Sequence, residues 1–435
     1  MNKQLSIYVH IPFCARKCFY CDFLSFNAGA DRIESYFFAL GKEISIWTDK
    51  FNGMGYEVIS VFFGGGTPSF VEAKYIVEIL ELIRTKFSLR ADAEITIEAN
   101  PASAMYEKLL DYRQAGINRL SIGAQSLNDE ELKRLGRLHD AKMFFETYEN
   151  ARKAGFDNIN IDIMSALPGQ SLDSYVSTIK KVTELRPEHI SAYSLIVEEG
   201  TPFFDMDLNL PDEETDRLMY HKTLQLLSEY GYHRYEISNY ALRPETAGKK
   251  EADAIEAYDK YECRHNKVYW QRGNYLGFGI GAASMVENVR WSNLRDIGKY
   301  VDVLSDIRLR SGNEGDLGRS EEPRNDSVEP KFLSICENIE ELTVNGQMEE
   351  FMFLGLRLTK GVDTGQFQKL FGKKINEVYG SVIEKYVGLG LLEKVHFHES
   401  GYPGNGKEAN EAEFLRLTEK GLDVSNTVMA EFLID

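Results

Sequence analysis

The sequence predicts an α/β protein: a partial (β/α)6 barrel followed by a smaller helical, winged-helix-like domain. Three observations predict it. Short β-rich runs alternate with amphipathic helical stretches through the first half of the 435 residues, as parallel β/α units require. The residues able to do chemistry fall at the carboxyl ends of those runs, where the loops of such a barrel converge on one rim. After a polar stretch at about 305–335 the apolar spacing becomes helical, with one short strand-like run near the end.

Leu5 to Ile11 is the first strand, and Cys14, Cys18 and Cys21 follow it. Val58 to Phe63 is the second, followed by Gly64-Gly65-Gly66-Thr67-Pro68. Ile76, Leu80, Ile83 and Phe87 then recur at the spacing of one buried helix face. Glu94 to Ala99 is the third strand, with Glu98 at its end. Arg119 to Gly123 is the fourth and leads to Gln125; Ile159 to Met164 is the fifth and carries Asp162; Ile190 to Leu195 is the sixth. The expected division is a barrel over 1–240, an extension over 241–304, a linker over 305–335 and the C-terminal domain over 336–435. Within the extension, 244–262 reads as a solvent-facing insertion, and 311–330 reads as a polar excursion. Met348 to Leu358 and Ile375 to Leu392 look helical, and Phe414 to Leu417 strand-like.

Composition excludes several classes. With 43% hydrophobic and 27% charged residues the chain is globular. A formal charge of −18 repels phosphate backbones and anionic lipid, so nucleic acid is not expected as a partner. The C-terminal domain is itself acidic, with 10 basic and 17 acidic side chains over 336–435, which speaks against a DNA-binding winged helix. No export signal is visible and no apolar run approaches the roughly 18 residues of a spanning helix, so no integral membrane segment and a cytoplasmic location are expected.

The five cysteines fit a reducing compartment. Cys263 and Cys336 read as isolated buried thiols. Cys14-x-x-x-Cys18-x-x-Cys21 places three thiolates on one loop, able to hold three corners of a cubic iron-sulfur cluster and leave the fourth iron open. A zinc site is the alternative from the cysteines alone, with His10 the nearby fourth ligand. An open iron invites a ligand with an amine and a carboxylate, and S-adenosylmethionine has both. Gly64 to Gly66 would let backbone approach such a ligand, or would simply form a tight turn. Glu98 and Asp162 could accept from ribose hydroxyls or an ammonium and Arg137 could pair with a carboxylate, or all three could be rim ion pairs.

Tyr8-Val9-His10-Ile11-Pro12-Phe13-Cys14, the three-cysteine loop, Gly64 to Ser69, Ile161-Asp162-Ile163 and Leu167-Pro168-Gly169-Gln170 resemble the radical S-adenosylmethionine superfamily. The likeness extends over nearly the whole chain, through Tyr235 to Tyr240 and Glu349 to Arg357. It is narrowest to the branch containing oxygen-independent coproporphyrinogen III oxidase and the heme chaperones. The oxidase pattern carries a further cysteine two residues after the third ligand, where this sequence has Phe23. Arg264-His265-Asn266-Lys267-Val268-Tyr269-Trp270 matches the HNxxYW motif of the chaperones.

That resemblance implies a 4Fe-4S cluster on Cys14, Cys18 and Cys21, with Tyr8, Gly65 and Glu98 contacting the S-adenosylmethionine bound to it. The oxidases have a second S-adenosylmethionine site, whose counterparts here are Tyr20, Gly66, Thr67, Gln125, Arg137 and Asp162. His265, with Tyr269 and Trp270 close by, is the candidate heme ligand; the alternative is a histidine bonded within an irregular segment. The implied function is heme binding and transfer to an acceptor protein of the respiratory chain, with an electron donor serving the cluster. The rival is radical decarboxylation of porphyrinogen propionates.

Overall fold

The computed structural model describes residues 3–51, 53–243, 259–307, 334–398 and 411–434. The expected excursion at 311–330 and most of the insertion, 244–258, lie outside the described residues. Six β/α units open the chain: β1 (Lys3–Ile11), α1 (Ala30–Phe51), β2 (Tyr56–Gly65), α2 (Ala73–Lys86), β3 (Leu89–Ala99), α3 (Tyr106–Gln114), β4 (Arg119–Gln125), α4 (Asp129–Arg134), α5 (Ala141–Lys153), β5 (Ile159–Ser165), α6 (Leu172–Glu184), β6 (His189–Ser194) and α7 (Glu213–Glu229). β1 to β6 lie side by side in chain order and parallel.

The strands form because their two faces have separate destinations. Ile7, Val9 and Ile11 in β1, Val61 and Phe63 in β2, Ile97 in β3, Leu120 and Ile122 in β4 and Ile159, Ile161 and Ile163 in β5 are fully buried in the main hydrophobic core. The helices cover this outer face: Ile76, Leu80 and Ile83 of α2 pack into the same core. The residues between them in sequence point the other way, since successive strand side chains alternate faces. In register these read Ser6, Ser60 and Glu94; then Tyr8, Phe62, Thr96 and Arg119; then Glu98, Ser121, Asn160 and His189. The lumen of this barrel is therefore polar and aromatic.

β7 (Tyr232–Arg234) and β8 (Asn239–Leu242) extend the sheet beyond β6. A seven-residue helix, α8 (Arg264–Trp270), precedes β9 (Tyr275–Phe278), which pairs parallel with the other side of β1. β10 (Ala283–Val286) and β11 (Val289–Asn293) continue antiparallel, α9 (Ile297–Asp306) packs on α1, and β12 (Cys336–Glu341) forms the last strand of the sheet. Residues 336–341 thus pair with the barrel extension, ahead of the C-terminal unit in which the sequence places them. β12 is an exposed edge whose Glu337, Glu340 and Glu341 leave no apolar alternation to read, and whose charge discourages pairing with a further strand.

The C-terminal unit packs α10 (Val344–Gly355), α11 (Thr364–Phe371), α12 (Ile375–Gly388), α13 (Glu419–Asp423) and α14 (Ser425–Ala430) with a three-stranded wing of β13 (Val362–Asp363), β14 (Leu392–His398) and β15 (Glu411–Leu417). Its own core centres on Met352, Leu356, Phe367, Leu415 and Phe432. No helix among the described residues is long and apolar enough to cross a membrane.

Candidate functional site at the barrel rim

The loop leaving β1 is clasped before it reaches α1. Phe26 donates its N–H to Pro12 O at 2.9 Å and Cys14 donates to Phe26 O at 3.0 Å. Between these bonds Cys21 N–H reaches Cys18 O at 3.3 Å, which turns the chain so that the cysteines share one loop. Arg16 donates to Gly136 O at 2.8 Å and Phe19 N–H to Leu135 O at 3.1 Å, fastening the loop to the connection between α4 and α5. Cys14 Sγ lies 3.3 Å from Thr67 Oγ1. Burial holds the Cys14 thiol above its ordinary range and pushes the Cys21 thiol up to about 11. Both keep their protons at neutral pH.

The glycine turn at the end of β2 is fixed by the backbone around it. Gly66 N–H donates to Ile11 O at 2.8 Å and Thr67 N–H to Phe13 O at 2.9 Å. Gly65 has φ +111°, and a Cβ there would stand 2.5 Å from the His10 ring; one on Gly66 would stand 2.9 Å from the carbonyl oxygens of Ile11 and Phe13. Only glycine lets the three segments approach this closely.

Glu98 accepts from Gly65 N–H at 3.1 Å. Burial, reinforced by the charge of Asp162, pushes its carboxyl up to about 8, against the opposing effect of the Gly65 bond and Arg119. Burial also raises Asp162, while bonds from Asn160 at 2.7 Å and Ser121 at 3.2 Å pull the other way. A buried carboxyl whose charge is disfavoured by a neighbouring carboxyl, both at one pocket, is suited to a cationic ligand there. Arg137 donates to Gly123 O at 2.6 Å, its other terminal nitrogen lies 3.9 Å from Cys18 Sγ, and its buried Nε has no partner.

Tyr20, Gly65, Gly66, Thr67, Glu98, Gln125, Arg137 and Asp162 are brought together with the three cysteines around one pocket of about 300 Å³. The residues fit a cluster that binds a further small molecule: three soft thiols on one loop, a glycine cradle that side chains would fill, and a guanidinium at the pocket wall whose buried Nε has no partner. They do not fit the zinc alternative. His10 is no fourth ligand, because its Nε2 pairs with Leu24 O at 2.9 Å and its Nδ1 with Tyr8 Oη at 3.0 Å. Among the described residues no three His, Cys, Asp or Glu side chains converge on a single-ion position.

Two expected residues stand apart from the pocket wall. Tyr8 lies deeper in the lumen, within the field of Glu98 and beside His10 and Phe62. His265 is 2% exposed, its Nδ1 paired with Ser60 Oγ at 3.0 Å and its Nε2 with Tyr269 Oη at 3.0 Å. Both ring nitrogens are engaged, so ligating a heme iron would require His265 to give up its bond to Ser60 or to Tyr269. The sequence reading also missed Tyr193, which lines the pocket and donates its hydroxyl to Gln125 Oε1 at 3.2 Å. The signal was there: His189, Ser191 and Tyr193 continue the period of two along β6.

A model of the radical SAM superfamily matches residues 8–182, and one of the HemN C-terminal domain matches 342–395. The heme chaperone HemW of Lactococcus lactis is 30% identical over 439 residues, covering 100% of this chain and 99% of the relative. That of Bacillus subtilis is 32% identical over 433 residues, covering 98% and 99%. Coproporphyrinogen III oxidase (HemN) from Escherichia coli superposes with a TM-score of 0.75 at 22% identity, over 99% of this chain and 90% of that one, a likeness of fold.

Proposed function

Since the chain belongs to the HemW heme chaperone family of the radical SAM superfamily, we propose that it binds heme and passes it to an acceptor protein, with a 4Fe-4S cluster and S-adenosylmethionine held at the barrel rim. The supporting observation is the convergence of three thiols, the glycine turn and Glu98 on one pocket, in a chain that aligns end to end with relatives named as heme chaperones. Phe23, exposed beside Cys21 where the oxidase branch has a further cysteine, favours the chaperone over porphyrinogen decarboxylation.

Cys14, Cys18 and Cys21 are the proposed cluster ligands. When bound, the cluster supplies a one-electron centre with one iron open to an amine and a carboxylate. The Gly65 turn and Glu98 receive the polar end of S-adenosylmethionine, and Tyr8 closes the floor beneath them. A Glu98 that is neutral at pH 7 donates as well as accepts, as ribose hydroxyls require. Tyr20, Gly66, Thr67, Gln125, Arg137 and Asp162 form the wall in which a second such molecule would sit. A respiratory-chain acceptor, a separate electron donor and a cytoplasmic setting belong to the same proposal.

Anaerobic reconstitution with iron and sulfide, followed by incubation with heme or with coproporphyrinogen III, tests it. The expected result is a Soret band with heme and no protoporphyrinogen from the porphyrinogen. Turnover to protoporphyrinogen would replace the chaperone reading with the oxidase.

A further inference from the structure

The seven residues of α8 hold the HNxxYW motif, and they plug the barrel from the end opposite the cysteine loop. Arg264 and His265 donate their backbone N–H groups to the two carboxylate oxygens of Glu94 at 2.9 and 3.0 Å, inside the lumen. Ser60, which holds His265 Nδ1, is itself 2.6 Å from Ser6 Oγ, so the imidazole is tied to both β1 and β2.

From His265 a cluster of three rings in mutual contact reaches toward the pocket. Its ring lies over Phe62 with centroids 5.0 Å apart and planes at 27°; Phe62 stacks on Tyr8 at 6.3 Å and 28°; Tyr8 stands 6.4 Å from His265 directly. Tyr8 Oη meets His10 Nδ1 at 3.0 Å, and the His10 ring is the surface against which Gly65 has room for no Cβ. A close-packed ring cluster transmits displacement because its members lack free space to relax into. On the far side α8 is held by the C-terminal unit, with the Arg357 guanidinium 4.3 Å from the Trp270 ring centre.

We propose that His265 is a positioning residue: it supports Tyr8 from beneath and, through Tyr8 and His10, sets the Gly65 turn at which S-adenosylmethionine binds. The assignment rests on the proposed S-adenosylmethionine site and gives the chaperone motif a role other than heme ligation. It also makes the C-terminal unit the outer brace of that ring cluster.

The test uses the full chain, reconstituted anaerobically, and follows the electron paramagnetic resonance of the reduced cluster during S-adenosylmethionine titration. His265→Ala should raise the midpoint concentration about tenfold, as loss of a supporting contact does at metal sites. Iron and sulfide content and the signal without S-adenosylmethionine should stay as in the wild type. Tyr269→Phe removes one hydroxyl and keeps the packing, so it should fold even where His265→Ala does not, and should raise the midpoint by a smaller factor. His265→Gln, which can still bond Tyr269, should recover part of the loss. The heme Soret maximum should be the same in all three variants. An unchanged midpoint in Tyr269→Phe together with His265→Ala or His265→Gln overturns the proposal, and so does a lost Soret shift in His265→Ala with the midpoint unmoved. A wild-type protein whose signal ignores S-adenosylmethionine removes the underlying site, and the positioning role with it.

Discussion

At Cys18 the side chain is partly exposed, and its sulfur lies 3.9 Å from Arg137 and within the field of Cys14 and Cys21. Cys18→Ser is therefore expected to change folding stability by no more than about 0.5 kcal/mol, while the reconstituted protein loses the broad absorbance at about 400 nm of a thiolate-bound cluster. Retention of that absorbance with full iron content would remove Cys18 from the ligand set. Glu98 carries a linkage prediction. Its folded value of about 8 lies above the ordinary 4.5, so the folded state holds a proton that the unfolded chain has released. Stability from this group is present below pH 4.5 and is lost as pH rises toward 8. The Tm of Glu98→Gln should fall less than that of the wild type between those limits, and parallel profiles would show that Glu98 does not titrate there. Neither property was visible in the sequence, which located both residues at strand ends without revealing burial.

The turn after β2 has a sharper requirement. Gly65→Ala places a methyl against His10 at a φ that side chains avoid, at a cost of about 2 kcal/mol. Thermal unfolding should show that loss together with a weakened S-adenosylmethionine response, and a variant as stable and responsive as the wild type would mean that the turn has slack. At this scale the six barrel strands were legible in number and order, because Ile, Val and Leu on one face alternate with polar groups on the other, but the third begins at Leu89 rather than Glu94, its unburied first residues carrying no apolar alternation. α8 was not legible as a plug. Seven residues give no helical period, and Glu94, which receives its first N–H groups, lies far away in sequence. β12 escaped for the opposite reason: an edge strand with five of its six residues exposed buries too little to leave a pattern.

Across the whole molecule, Glu350 of α10 ties the C-terminal unit to the barrel extension through Arg272 at 3.0 Å and Arg290. Glu350→Ala removes the partner shared by two guanidinium groups, of which Arg272 keeps its bond to Asn288 and Arg290 stays partly in solvent, so urea unfolding should lose about 1–2 kcal/mol. Lys385→Ala, which breaks the exposed pair with Glu431, should lose far less, since an ion pair in solvent is screened. Equal losses would place the tie between the units elsewhere. The contact between the units was not legible, since it is made by residues far apart in sequence: a bridge between Glu236 and Leu358, the Thr359 N–H on Tyr235 O at 2.9 Å, Ile237 packed on the C-terminal core, and Arg357 against Trp270.

The polar lumen has a consequence for how such a protein changes over time. Oil-like cohesion belongs to the seam between strands and helices, on the far side of every strand from the groups that do chemistry. Selection can therefore rewrite the inner lining, trading one reaction or one passenger for another, while the shell goes on folding as before.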